Sequence, residues 1–253
     1  MISSKRRLRA LLVIDLVALL FALSLAAVSS QGPAERVLGR SVAILTEVDA
    51  YVDGHFAAIQ QQANQTQEPA VTLPDFPLAV SFLPAEVQHS NRDQFRALLL
   101  ERSAELLHDD GAAAFRQGRP SQGGYLSPEG ALRAGMDLLR PAPHGLFAGF
   151  TIAFGIVAAL LALAITPAAR DWLQTVGLST LLASVLFVVF AAVVRAVFWI
   201  AASAVDDSFA RAFLTLAQQL TWAPIRDGLI VMVGGAALAL AGSVLQPEGS
   251  QRA

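Results

Sequence analysis

The chain has 253 residues, 55% of them hydrophobic and only 15% charged, with a formal net charge of −2 and a mean hydropathy of +0.53. A composition this apolar and this sparsely charged excludes an ordinary water-soluble globular protein and indicates a membrane protein. The lack of any cysteine excludes disulfides, thiol catalysis and thiolate metal sites.

In chain order, residues 1–9 carry Lys5, Arg6, Arg7 and Arg9, a basic cluster of the kind that marks a cytoplasmic flank. The apolar run that follows, 10–29, meets the length of about 20 residues needed to cross a hydrocarbon core of about 30 Å. A cleavable signal peptide is the rival reading, because small residues Ala26, Ala27 and Ser29 end the run. The run is longer than the roughly 7–15 apolar residues of a signal sequence, which favours an uncleaved anchor.

Residues 31–144 contain nine Arg against fourteen Asp plus Glu, a net charge of 9 − 14 = −5. They are expected to form an extracytoplasmic, α-rich domain. Pro33 suits a helix's first turn, and Leu38, Val42, Leu45, Val52, Phe56, Ile59 and Ala63 then recur at alternating spacings of three and four. Asp49 interrupts that seam, yet the pattern predicts one amphipathic helix of about 30 residues. Pro69, Pro74, Pro77 and Pro84 exclude a helix interior over 67–84, where Leu78, Val80 and Phe82 alternate like a short strand packed as an extended connector. A second helix is expected from Ser90, with Asp93 as a shortened-acid capping box and Phe95, Leu98, Leu99 and Leu106 buried. Asp109-Asp110-Gly111 ends or kinks it. After a loop over 117–124, Ser127-Pro128-Glu129 opens a third helix and Arg140-Pro141 stops it.

Further spans are expected at 145–166, 173–203 and 228–245, with a tight inner turn at 167–172. The segment 206–223 reads as an outer amphipathic helix, with Phe209, Phe213, Leu216 and Leu220 on one face, Asp206 or Asp207 as cap and Pro224 as stop. It lies either in the outer headgroup layer, as the adjacent Trp222 suggests, or beneath the outer domain as a lid. Residues 246–253 form a cytoplasmic tail. The fold class is therefore an all-α membrane protein, with four transmembrane helices and a mostly helical extracytoplasmic domain inserted between helices 1 and 2. Trp172, Trp199 and Trp222 all fall at expected interfaces, where aromatic anchors belong.

Within the expected spans the only charges are Asp15 and Arg195. By these boundaries Asp15 lies about five residues from the inner end of its span and Arg195 near the outer face, too far apart for a mutual salt bridge. Either snorkels to its nearest interface, Arg195 helped by Asp206 and Asp207, or serves as a polar contact to another helix. With both near opposite faces, no ionisable group is expected at the midplane, which argues against transport. Small residues recur every seven positions: Asp15, Ala22 and Ser29; Ala148, Gly155 and Ala162; Gly177, Ser184 and Ala191; Gly228, Gly235 and Gly242. Such seams permit close left-handed packing and predict a bundle of spans two to four. Gly145 and Gly149 add a GxxxG that suits this bundle or a second copy.

Candidate chemistry outside the spans is sparse. His55, His89, His108 and His144 include no i, i+4 pair of the metal-binding kind, and no nucleophile elbow, zincin, phosphate-loop or dinucleotide fingerprint occurs. No catalytic, cofactor or metal residue is assigned, and no enzyme is expected. Asn64-Gln65-Thr66 matches a glycosylation sequon, but the absence of cysteine and 17 Arg among the 18 basic residues look bacterial, so it is read as chance. Basic residues outside are dispersed among more numerous acids, which gives no nucleic-acid surface.

In span order and in the size of its first outer segment, the chain resembles the small four-span integral membrane proteins of bacteria, many of uncharacterised function. The resemblance covers the whole length, rests on layout and transfers no catalytic residue. The leading expectation is a noncatalytic inner-membrane protein, both termini cytoplasmic, whose outer domain binds a partner protein or senses an external condition. A subunit of an oligomeric channel or transporter is the alternative, and an outer-domain enzyme the third.

Overall fold

A computed structural model describes residues 2–65, 69–114, 134–165, 169–206 and 208–244. In chain order the elements are α1 (Ile2–Ser29), α2 (Gln31–Leu45), α3 (Val48–Gln65), β1 (Val71–Thr72), β2 (Ser81–Phe82), α4 (Pro84–His89) and α5 (Arg92–Asp110). A 3-10 turn at Gly111–Ala114 and a helical stretch at 134–138 precede α6 (Pro141–Ile165), α7 (Ala169–Ala204), α8 (Ser208–Leu220) and α9 (Trp222–Val244). Four helical stretches, within α1, α6 and α7 and over 214–244, are long and apolar enough to cross a membrane. The chain divides into two compact units. One holds residues up to Ala27, Gly145–Ser203 and Ala217 onwards; the other holds Val28–His144 with Ala204–Leu216.

The long helices overrun the boundaries expected from the apolar runs. α1 continues through its basic flank back to Ile2. α6 begins at Pro141, which opens this helix and sits where a missing N–H costs nothing. α7 has 36 residues, about 54 Å of helix against a core of about 30 Å. α9 starts at Trp222, not after Asp227, because Pro224 falls in its first turn and starts the helix instead of stopping the previous one. Arg226 and Asp227 therefore belong to the fourth long helix, as an adjacent pair with Nη2 2.9 Å from Oδ1.

The inserted domain, residues 31–144, has its own core. Leu38 and Val42 of α2, Val52 and Ile59 of α3, Phe95, Leu99 and Leu107 of α5 and Phe76, Leu78 and Phe82 of the connector are all buried. The single helix expected over 38–63 is two: Thr46 caps α2 through its N–H and Oγ1, both donated to the Val42 carbonyl, and Glu47 adopts φ +43. Asp49, misplaced in the single-helix seam, is exposed on α3 and pairs with Arg96, while Asp53 pairs with Arg92 at 3.0 Å. Across 71–82 the connector pairs Val71 with Phe82 and Thr72 with Ser81, antiparallel, and its residues alternate between core and solvent. Pro84 then starts the short α4, where the Leu83 N–H donates to Glu86 Oε2 at 2.9 Å.

α5 is capped by Asn91, not by Ser90 with Asp93. Asn91 Oδ1 accepts from the Gln94 N–H and Gln94 Oε1 from the Asn91 N–H, each at 2.9 Å. It ends at Asp110. Gly111 takes φ +60, and a Cβ there would meet Asp137 Oδ1 at 2.7 Å and Arg140 Cδ at 2.8 Å. The expected helix start at 127–129, the loop at 117–124, Thr66 of the sequon and Asp207 lie outside the described residues.

Candidate functional site

The long helices supply the residues with unusual surroundings. α7 and α9 run antiparallel in backbone contact. A Cβ on Gly177 would overlap the Ala239 backbone nitrogen and lie 2.8 Å from the Gly235 oxygen. One on Gly235 would lie 2.8 Å from the Leu181 nitrogen and 3.1 Å from the Gly177 oxygen. A Cβ on Gly242 would lie 2.6 Å from the Gln174 nitrogen, and one on Gly228 2.6 Å from Val188 Cγ2 and 3.0 Å from Phe187 Cδ1. On the α7 side Ser184 is fully buried and donates to the Thr180 carbonyl at 2.8 Å.

The glycines of α6 behave differently. No heavy atom of the described residues lies within 4 Å of a Cβ built on Gly145, Gly149 or Gly155. α6 instead packs through Ala158 and Ile165 against Leu12 of α1, with Leu8, Leu16 and Leu161 around them. α1 in turn reaches α7, where Phe21 meets Phe187 and Phe190 edge-on at 4.9 and 5.2 Å. The described contacts thus run α6 to α1, α1 to α7 and α7 to α9. Gly155 makes none of these contacts, whereas Ala162 of the same seam is buried.

Arg195 has two partners among the described residues. Its Nη1 donates to the Gln218 carbonyl at 2.7 Å, and its guanidinium lies 5.8 Å from the centroid of the Trp222 ring. Thr221 Oγ1 donates to the same carbonyl at 2.6 Å. That carbonyl is among the last of α8, where a helix leaves acceptors unsatisfied and favours a cation. α7 therefore pins the elbow between α8 and α9. Trp199 and Trp222 are exposed, whereas Trp172 is half-buried with Nε1 sealed and without an acceptor among the described residues.

Asp15 lies on the helix that packs against both α6 and α7. Ser29 Oγ lies 3.2 Å from His144 Nδ1, which sets the end of α1 beside the start of α6. α1 and α6 are thus antiparallel, and α7, which follows α6 after a three-residue link, runs parallel to α1. With Phe21 against Phe187 and Phe190, Asp15 is level with about residues 181–184 of α7 and with the Gly177–Gly235 crossing. At about 1.5 Å per residue that is roughly 18–22 Å from the start of α7 at Ala169. The side chain is half-buried, and Oδ2 is sealed from solvent with no hydrogen-bond partner among the described residues.

The histidines stay apart. His55 Nδ1 contacts its own helix at the Tyr51 carbonyl, His89 Nδ1 the Ala85 carbonyl, and His108 is buried with Nδ1 unpartnered among the described residues. Among the described residues no three His, Asp or Glu are grouped so as to hold a metal ion. No family model matches the chain, and no curated protein and no solved structure matches it.

Proposed function

We propose that the chain is a noncatalytic bacterial inner-membrane protein with both termini cytoplasmic and residues 31–144 outside, where they bind a partner protein or sense an external condition. The observation that carries this reading is the separate core of the inserted domain, from Ala34 to Leu139. A segment that only linked two spans would need no such core. The basic residues at 5–9 and the net charge of −5 over 31–144 support the orientation. The link between α6 and α7 spans only 166–168, too short to hold a domain of its own. A photo-crosslinking residue at the exposed position Gln62, activated in cells, is expected to give one specific protein adduct. Adducts to lipid alone would contradict the reading.

A second reading, a subunit of an oligomeric channel or transporter, draws on Asp15, whose Oδ2 is sealed without a hydrogen-bond partner among the described residues. It predicts a flux in proteoliposomes that Asp15→Asn or Arg195→Gln abolishes; a flux equal to that of empty vesicles would remove it.

A further inference from the structure

We propose that the groove between α2 and α5 of the inserted domain docks with the same groove of a second copy of this chain about a two-fold axis, Arg36 of each copy meeting Glu101 of the other. The contact lies wholly within the inserted domain, so it stands whichever side of the membrane that domain occupies and goes beyond the reading proposed above. α5 runs antiparallel to α2 and α3. Arg92 pairs with Asp53 and Arg96 with Asp49, and a Cβ on Gly39 would lie 3.7 Å from Ala104 Cβ and 3.8 Å from the Leu100 oxygen. Glycine at 39 and alanine at 104 leave no long side chain to fill the outer side of this crossing, and an open cleft of about 360 Å³ lies there. Gly39, Ala43, Leu100 and Ala104 are its uncharged lining on either side of the crossing.

The charges around the cleft point to its occupant. Glu35, Arg36 and Arg40 line it from α2 and Glu101 from α5, two acids and two bases, so the patch is neutral although residues 31–144 carry 9 − 14 = −5. A strongly acidic or basic partner gains nothing from a neutral patch, whereas a second copy brings the same charges in a matching arrangement. Arg36 and Glu101 are both exposed. Arg36 stands three residues from Gly39 and Glu101 three residues from Ala104. Because the helices are antiparallel, the two charges lie on opposite walls and on opposite sides of the crossing, each about 4.5 Å from it along the axis. A two-fold axis in the plane of the cleft, through the crossing and at right angles to the line from Arg36 to Glu101, sets each charge over its opposite on the second copy and brings the two Gly39 positions near each other. Such paired charges fix orientation and register more than affinity, and confinement of both copies to one bilayer raises their effective concentration.

The test uses the full chain in its native membranes with Gly39→Cys as the single reactive thiol, at a position where a Cβ makes only ordinary contacts. A short bismaleimide is expected to join two copies, whereas Gln62→Cys, exposed on α3, is expected to stay monomeric. In the Gly39→Cys background, Arg36→Glu or Glu101→Arg, both at exposed positions, is expected to lower the yield roughly tenfold by setting like charges together. The two charge variants expressed together with different tags are expected to recover the yield as mixed dimers, because the introduced Glu then meets the introduced Arg and the native pair re-forms beside it. Loss that mixing does not recover would show that the two charges act within one chain and would overturn the proposal. So would a yield that neither charge change lowers, equal joining through Gln62→Cys, or Gly39→Cys that stays monomeric or joins only to a different protein.

Discussion

Arg195 and Asp15 meet the same problem with different side chains. Arg195 has length and five donors, and it finds both a helix-terminal carbonyl and a Trp face without leaving the chain. Asp15 has neither and retains a sealed oxygen. Arg195→Gln is expected to weaken the elbow by about 1.5–3 kcal/mol, the range for a hydrogen bond to a charged group, and to lower the melting temperature in detergent. Trp222 fluorescence should change with it. Arg195→Lys keeps the charge but not the planar fork and should fall between; a wild-type melt for Arg195→Gln would show that the contact contributes nothing. In the inserted domain, Gly111→Ala places a Cβ at a backbone angle nearly reserved for glycine and against Asp137 and Arg140. It is expected to cost about 1–3 kcal/mol in a chemical-denaturation midpoint. The presence of the two membrane charges was legible in the sequence. Their partners were not, because a partner depends on how one helix is set against another along the axis.

At the scale of the element, two adjacent glycines make the sharpest comparison. Gly235 has backbone atoms within about 3 Å of a would-be Cβ, whereas Gly234 has none of the described heavy atoms within 4 Å. Gly235→Ala or Gly235→Leu should push α7 and α9 apart and destabilise by at least about 1–3 kcal/mol. Gly234→Ala should be neutral or mildly stabilising, since alanine is the better helix former. Equal melting of the two alanine variants would show that the close approach is not where the stability lies. Helix N-termini carry a second prediction: Asn91→Ala removes the reciprocal cap of α5 and should cost about 1 kcal/mol, read by thermal unfolding. A period of seven is visible in a sequence, but which period is used is decided by the neighbour, as the open space around Gly155 shows. The break at Thr46 and Glu47 was illegible for a related reason. The three-and-four pattern of apolar residues runs through it undisturbed, and only the side-chain cap and the positive φ of Glu47 reveal it.

For the whole molecule, the number of long apolar helices and the helical character of the inserted segment could be read from composition and periodicity, because burial in lipid or core leaves a direct record in residue type. Helix ends could not, since an apolar run stops at the first charge while the backbone continues through it, as at Arg9 and at Arg226–Asp227. Which side of the membrane holds the inserted domain rests on the basic cluster at 5–9 and is the claim on which the proposed function depends. The chain has no cysteine of its own, so single cysteines can be placed at will and probed in intact cells with a maleimide that does not cross the inner membrane. Gln62→Cys in the inserted domain is expected to label at once, and Ser4→Cys beside the basic cluster only after the membrane is permeabilised. Labelling of Ser4→Cys with protection of Gln62→Cys would invert the topology and contradict an external role for the domain.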